Sequence, residues 1–224
     1  MSLAANSPAT DPAAKKPFGN GNLLPLLRKE RLRPIYLLVG DEIFFRDRFR
    51  QALVELLVPP ELREFSLFDE DLASTALDDL LARARNASLM APVQVFFVRN
   101  VKELFGRGSG GEETGRGKKK HGAFPDNLAA YARDPNPGSV LVFLADHVHI
   151  PANIRRINLD DKTKLERLQT VFAPLAEIIQ CARVGEAQGA RIAIELAREQ
   201  GFTLEADAAQ LLFELLDGDL GLVQ

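Results

Sequence analysis

Pro34-Ile35-Tyr36-Leu37-Leu38-Val39-Gly40-Asp41-Glu42 is the stretch on which the fold turns. Ile35 to Val39 is an unbroken apolar run that stops at a glycine, the pattern of a short strand buried on both faces. Beyond it, Phe45, Phe49, Ala52, Leu53, Leu56 and Leu57 share one face of a helix, which Pro59 and Pro60 stop. A buried strand, a glycine turn and an amphipathic helix open an α/β unit, and its turn is where a phosphate-binding loop would sit.

A phosphate loop needs glycines so that backbone N–H groups can wrap the phosphates, a lysine to neutralise them, and a hydroxyl for magnesium. The turn from Gly40 to Arg46 has one glycine, no Gly-Lys-Ser/Thr, and two carboxylates where phosphates would lie. Repulsion between Asp41, Glu42 and a triphosphate disfavours ATP here. Both acids instead suit the start of the next helix, where its dipole favours negative charge. No cofactor is expected.

The alternation continues along the chain. Phe65 to Phe68 is a strand candidate, and Ser74 can cap a helix carrying Leu77, Leu80, Leu81 and Ala84. Val93 to Val98 reads as a third strand. A helix from Asp126 to Arg133 leads through Asp134-Pro135-Asn136-Pro137-Gly138, a dense turn signal, into a fourth strand from Val140 to Ala145. Residues 161 to 175 read as helix and Glu177 to Ala182 as a fifth strand. The expectation is a three-layer α/β domain with a mostly parallel five-stranded sheet covered on both faces.

Three segments stand apart. Residues 1–22, rich in Ala, Pro, Asn, Gly and Ser, read as a disordered leader, with Met1-Ser2-Leu3 fitting an added start, and Leu23, Leu24, Leu26 and Leu27 fit one short helix. Residues 102–124, with Lys118-Lys119-Lys120, read as a mobile insertion. After Val184, the sets Ile192, Leu196, Ala197 and Ala208, Leu211, Leu212, Leu215 give two helices separated by Gly201, with another beginning at Asp219. The boundaries expected are an α/β domain over 23–182 and a small all-helical domain over 183–224, which reads as truncated.

With 224 residues, 46% hydrophobic and 26% charged, the chain can bury a sizeable core, and its formal net charge of -3 carries no overall footprint for nucleic acid or acidic membranes. Cys181 is the single cysteine, so neither an internal disulfide nor a thiolate metal cluster is available, and a reducing cytoplasm is the simplest compartment. No run approaches the roughly 18 apolar residues of a membrane span. His147-Val148-His149 is readable as two metal ligands on one side of an extended segment or, more commonly, as a solvated pair in a loop. Asp160-Asp161 reads as a charge pair at a helix start. No catalytic set and no metal site is expected.

Taken in order, several motifs resemble the delta-subunit family of the bacterial DNA polymerase III clamp loader, whose first domain is a degenerate AAA+ module. The opening stretch from Pro34 to Glu42 is similar to the family's strand and turn in place of a phosphate loop. Ser88-Leu89-Met90-Ala91, followed by Val95-Phe96-Phe97-Val98-Arg99-Asn100-Val101, resembles its helix end, exposed apolar pair and strand. Asp134 to Val142 is similar to its Asn-Pro turn and next strand, and Gly201-Phe202 with Leu215-Leu216-Asp217-Gly218-Asp219-Leu220 resembles its helical lid. The resemblance runs from about residue 34 to 224. It departs in the long insertion and in lacking the family's collar-forming third domain.

The resemblance implies a subunit without intrinsic catalysis, part of a DNA polymerase (nucleotidyltransferase) holoenzyme in the cytoplasm. It would bind the sliding clamp and open the ring for loading on primed DNA. ATP would be hydrolysed by sibling ATPase subunits that, with delta prime, complete the loader. Leu89 and Met90 would fill an apolar clamp pocket, with Ser88 and Ala91 beside them in the clamp-binding set. By pattern alone, an apolar pair at a helix end packs under the sheet; the resemblance reverses that preference. Lys118, Lys119 and Lys120 would at most contact DNA. Two other classes stay open on the residues: an ATP-dependent α/β phosphotransferase, and a nucleic-acid-binding module using the basic loop 107–120.

Overall fold

The computed structural model describes residue 27 and residues 32–106, 123–216 and 218–223. The expected leader over 1–22, the helix residues Leu23, Leu24 and Leu26, and the Lys118-Lys119-Lys120 run lie outside the described residues.

The order is β1 (Ile35–Val39), α1 (Ile43–Leu57), α2 (Arg63–Ser66), β2 (Leu67–Asp71), α3 (Leu77–Arg85), β3 (Gln94–Arg99), α4 (Glu103–Gly106), α5 (Ala123–Arg133), β4 (Ser139–Ala145), α6 (Leu159–Phe172), β5 (Glu177–Gln180), α7 (Glu186–Glu199) and α8 (Ala206–Leu215). Short 3-10 turns occupy Pro60–Leu62, Ile154–Arg156 and Leu220–Val223. The five strands form one sheet in the order β2-β3-β4-β1-β5. Each neighbouring pair is parallel.

Because successive side chains in a strand point to opposite faces, the apolar run of β1 feeds two cores at once. Ile35, Leu37 and Val39 join Phe96, Val98, Leu141 and Phe143 in one core, closed by Leu80 and Leu81 of α3, Leu128 and Tyr131 of α5, and Leu165, Leu168 and Phe172 of α6. Tyr36 and Leu38 join Val95, Phe97, Val142 and Ile179 on the other face, under Phe45, Phe49 and Leu53 of α1. That second core continues through Val184, Ile192, Phe213 and Leu220, so α7 and α8 pack on the same side as α1. Each such side chain, fully buried, is worth roughly 1.5–3 kcal/mol. The result is the expected three-layer α/β arrangement, with a sheet that is parallel throughout.

Three sequence expectations need correction. The strand placed at Phe65 to Phe68 begins only at Leu67, and Arg63–Ser66 is a helical turn. The strand runs on through the acidic residues Asp69, Glu70 and Asp71, because β2 is an edge with one neighbour and each carboxylate finds a partner. Asp69 takes a two-pronged bond from Arg50 at 2.7 and 2.9 Å, Glu70 pairs with Arg83 at 2.7 Å, and Asp71 accepts from Asn100 at 2.7 Å. Ser74 does not cap α3, whose N-cap is Ala76 without a side-chain bond; its hydroxyl donates instead to the Asp71 carbonyl at 3.1 Å. The helix expected at Asp219 is a 3-10 turn that buries Leu220. Among the described residues, no helix is long and apolar enough to cross a membrane.

Candidate functional site

In open α/β sheets, ligands bind beyond the carboxyl ends of the strands, where the strand order reverses. Here that crevice lies between neighbouring strands β1 and β4, since the helix after β1 covers one face and the helix after β4 covers the other. The chain fills it with itself. The Gly40 N–H donates to the Ala145 carbonyl at 3.2 Å and the Glu42 N–H to the Cys181 carbonyl at 3.1 Å. Glu42, only 5% exposed, is the N-cap of α1 and accepts from the Phe44 N–H at 3.4 Å. Backbone donors that a phosphate loop would aim at its ligand are committed internally, and a carboxylate occupies the anion position at the helix start.

Gly40 has φ +127°, and a Cβ there would stand 2.1 Å from the Cys181 carbonyl oxygen. Its role is to let the β1 turn press on the end of β5.

The loop after β4 completes the closure. His149 Nδ1 lies 2.8 Å from Asp41 Oδ2, and Arg183 Nε lies 3.5 Å from the same oxygen. Burial opposes ionisation of Asp41, but the His149 hydrogen bond, with the charges of His149 and Arg183, outweighs it and holds the carboxyl below its usual range. Burial pushes Glu42 the other way, above the usual glutamate value, against the Phe44 N–H bond and the Arg183 charge. The Cys181 thiol is pushed up to about 12 by burial, which leaves it without nucleophilic character. Arg46, where a phosphate loop's lysine region would fall, pairs with Asp146 at 3.4 Å.

The two histidines of the 147–149 segment therefore do not converge. His149 serves Asp41, while His147 is half-buried with its Nδ1 unpartnered and its pKa lowered by burial. No grouping of His, Cys, Asp or Glu suited to a metal occurs among the described residues. Asp160 and Asp161 stand in the first turn of α6, behind an Asn158 N-cap that accepts from the Asp161 N–H at 2.8 Å. Lys118, Lys119 and Lys120 lie outside the described residues.

At the opposite, amino-terminal edge of the sheet, α3 ends at Arg85 and the chain turns before β3. Leu89, at the tip, is 101% exposed and Met90 62% exposed, while Ala91 turns inward at 6%. Ser88 Oγ accepts from the backbone N–H groups of both Met90 and Ala91, each at 3.1 Å, so the hydroxyl shapes the turn. Two large apolar side chains are thus held in water on a short hydrogen-bonded turn.

Sequence reading missed the Asp41–His149–Arg183 closure. Asp41 and His149 are separated by 108 residues along the chain and Arg183 lies farther still, so nothing local to one marks the others.

No protein-family model matches the chain. It is 24% identical over 194 residues to the DNA polymerase III subunit delta of Bacillus subtilis, covering 87% of this chain and 50% of the relative. Among solved structures it resembles the Bacillus subtilis DNA clamp loader delta protein, with a TM-score of 0.62 and 24% identity over 90% of this chain and 53% of the other. A Walker-type ATPase of Pyrococcus abyssi, at a TM-score of 0.40, is too remote to add to the argument. The chain thus spans about half the length of the proteins it matches. In sequence and in its parallel α/β fold, whose first turn is filled from within, this chain is similar to the delta subunit of DNA polymerase III.

Proposed function

We propose that this chain is the clamp-binding part of a clamp-loader subunit, and that Leu89 and Met90 form the prong that enters an apolar pocket on the sliding clamp. The observation that carries the reading is the full exposure of Leu89 and the large exposure of Met90 on a hydrogen-bonded turn. Residues 23–182 would carry the prong, and the helices of 183–224 would act as a lid-like unit beside it. The chain itself performs no catalysis in this reading, and works in the cytoplasm with ATPase subunits, delta prime and primed DNA. Ring opening needs no covalent step: a partner that binds the open interface better than the closed one shifts the population by that difference.

Calorimetry against the clamp from the same source tests the prong. Full burial of each side chain is worth roughly 1.5–3 kcal/mol, so Leu89→Ala with Met90→Ala should weaken binding by about a hundredfold or more. Because both side chains are exposed in the free chain, the thermal midpoint should stay near that of the parent. Affinity within threefold of the parent would refute the assignment.

A further inference from the structure

We infer that Asn136 is a positioning residue for the prong, stapling both limbs of the 86–93 turn so that Leu89 and Met90 are presented in a preset geometry; this rests on the clamp-binding reading above. Asn136 belongs to the turn before β4, a segment remote in sequence from the prong. Its side-chain amide donates to the Ala84 carbonyl at 3.2 Å and to the Arg85 carbonyl at 3.4 Å, the last carbonyls of α3. These groups have no partner within the helix, so the amide caps the outgoing limb. Its other atom, Oδ1, accepts from the Gly138 N–H at 2.9 Å. The Gly138 carbonyl in turn accepts from the Gln94 N–H at 2.7 Å, and a Cβ on Gly138 would meet the Pro92 carbonyl at 3.1 Å. One side chain is thereby linked to the point where the chain leaves α3 and to the point where it enters β3.

Between those anchors the Ser88 hydroxyl organises the turn through its two bonds to Met90 and Ala91, beside the buried Ala91 side chain. Leu89 makes no packing contact of its own to hold it, since it is fully exposed. A tip of this kind would sample many orientations if the limbs were free, and ordering it on binding would subtract from affinity. Arg85, whose guanidinium stands 5.8 Å from the Tyr131 ring centroid, adds a second tie between α3 and α5 at the same corner.

The experiment is calorimetry of the whole chain with the purified sliding clamp, paired with amide exchange on the free chain. Asn136→Ala is expected to weaken binding about tenfold, equivalent to about 1.4 kcal/mol. Ser88→Ala, on an exposed turn outside the core, should weaken it similarly, and Ser88→Thr should restore it. In a Leu89→Ala background the Asn136→Ala effect should shrink, which a general loss of stability would not produce. In the free chain, exchange at the Met90 and Ala91 amides should quicken in both alanine variants while β3 amides stay protected. Parent-like affinity in both alanine variants, with Leu89→Ala alone weakened, overturns the staple and leaves the prong standing. No binding by the parent overturns the clamp reading and this role together, and the exchange arm then reports whether the staple exists as a structural feature.

Discussion

Replacing Gly40 by alanine separates a packing role for this glycine from a phosphate-cradling one. At φ +127° an L-residue is strained, by about 1–3 kcal/mol. The new Cβ would also stand 2.1 Å from the Cys181 carbonyl oxygen and 2.6 Å from its carbon, both main-chain atoms in the sheet's second core. To reach ordinary contact the two segments must part by more than an ångström. The Cys181 N–H to Val39 bond of 2.7 Å and the Glu42 N–H to Cys181 bond of 3.1 Å lie across that gap, each contributing about 0.5–1.5 kcal/mol. The total expected loss is about 2–6 kcal/mol, a large part of an ordinary domain's stability. Urea unfolding of parent and Gly40→Ala should show it as a lower midpoint with little change in slope. ATP with magnesium should not raise the parent's thermal midpoint, because the donors a phosphate would need are already used. A loss under about 1 kcal/mol, or a clear rise with ATP, would show that the turn does not press on β5 as described.

Gly189→Ala should destabilise the chain by about 1–3 kcal/mol, although alanine is the better helix former. The added methyl would lie 2.3 Å from the buried Phe213 ring, so a higher melting temperature would count against the α7–α8 packing. Asp41→Asn should lower stability at neutral pH. The folded carboxyl is held below its ordinary value of 3.8, so its contribution is complete above that pH and fades as pH falls through the lowered value. The gap between the urea midpoints of parent and variant should therefore narrow as pH falls below 3.8, and a gap that does not change with pH would sink the pairing.

Much of the architecture could be read directly from the residues. Unbroken apolar runs such as Ile35 to Val39 record burial on both faces, and the periodicity of Phe45, Phe49, Leu53 and Leu56 records one covered face, because both signals are local. The bounds of the edge strand β2 were misplaced, since Asp69, Glu70 and Asp71 are held in it by Arg50, Arg83 and the Asn100 amide, which come from elsewhere in the chain. The absence of a glycine-lysine phosphate loop was also visible in sequence, but the reason the turn keeps its one glycine was not.

The alternation of buried strands and amphipathic helices and the loss of the phosphate loop's residue types are written in the residues alone, for these depend on neighbours a few positions apart. It took the folded arrangement to bring His149 and Arg183 over Asp41, to carry Asn136 to the end of α3, and to leave Leu89 and Met90 in water while Ala91 is buried. Leucine carries the same apolar surface in a core and at a tip, and which of the two it occupies depends on how distant segments pack around it.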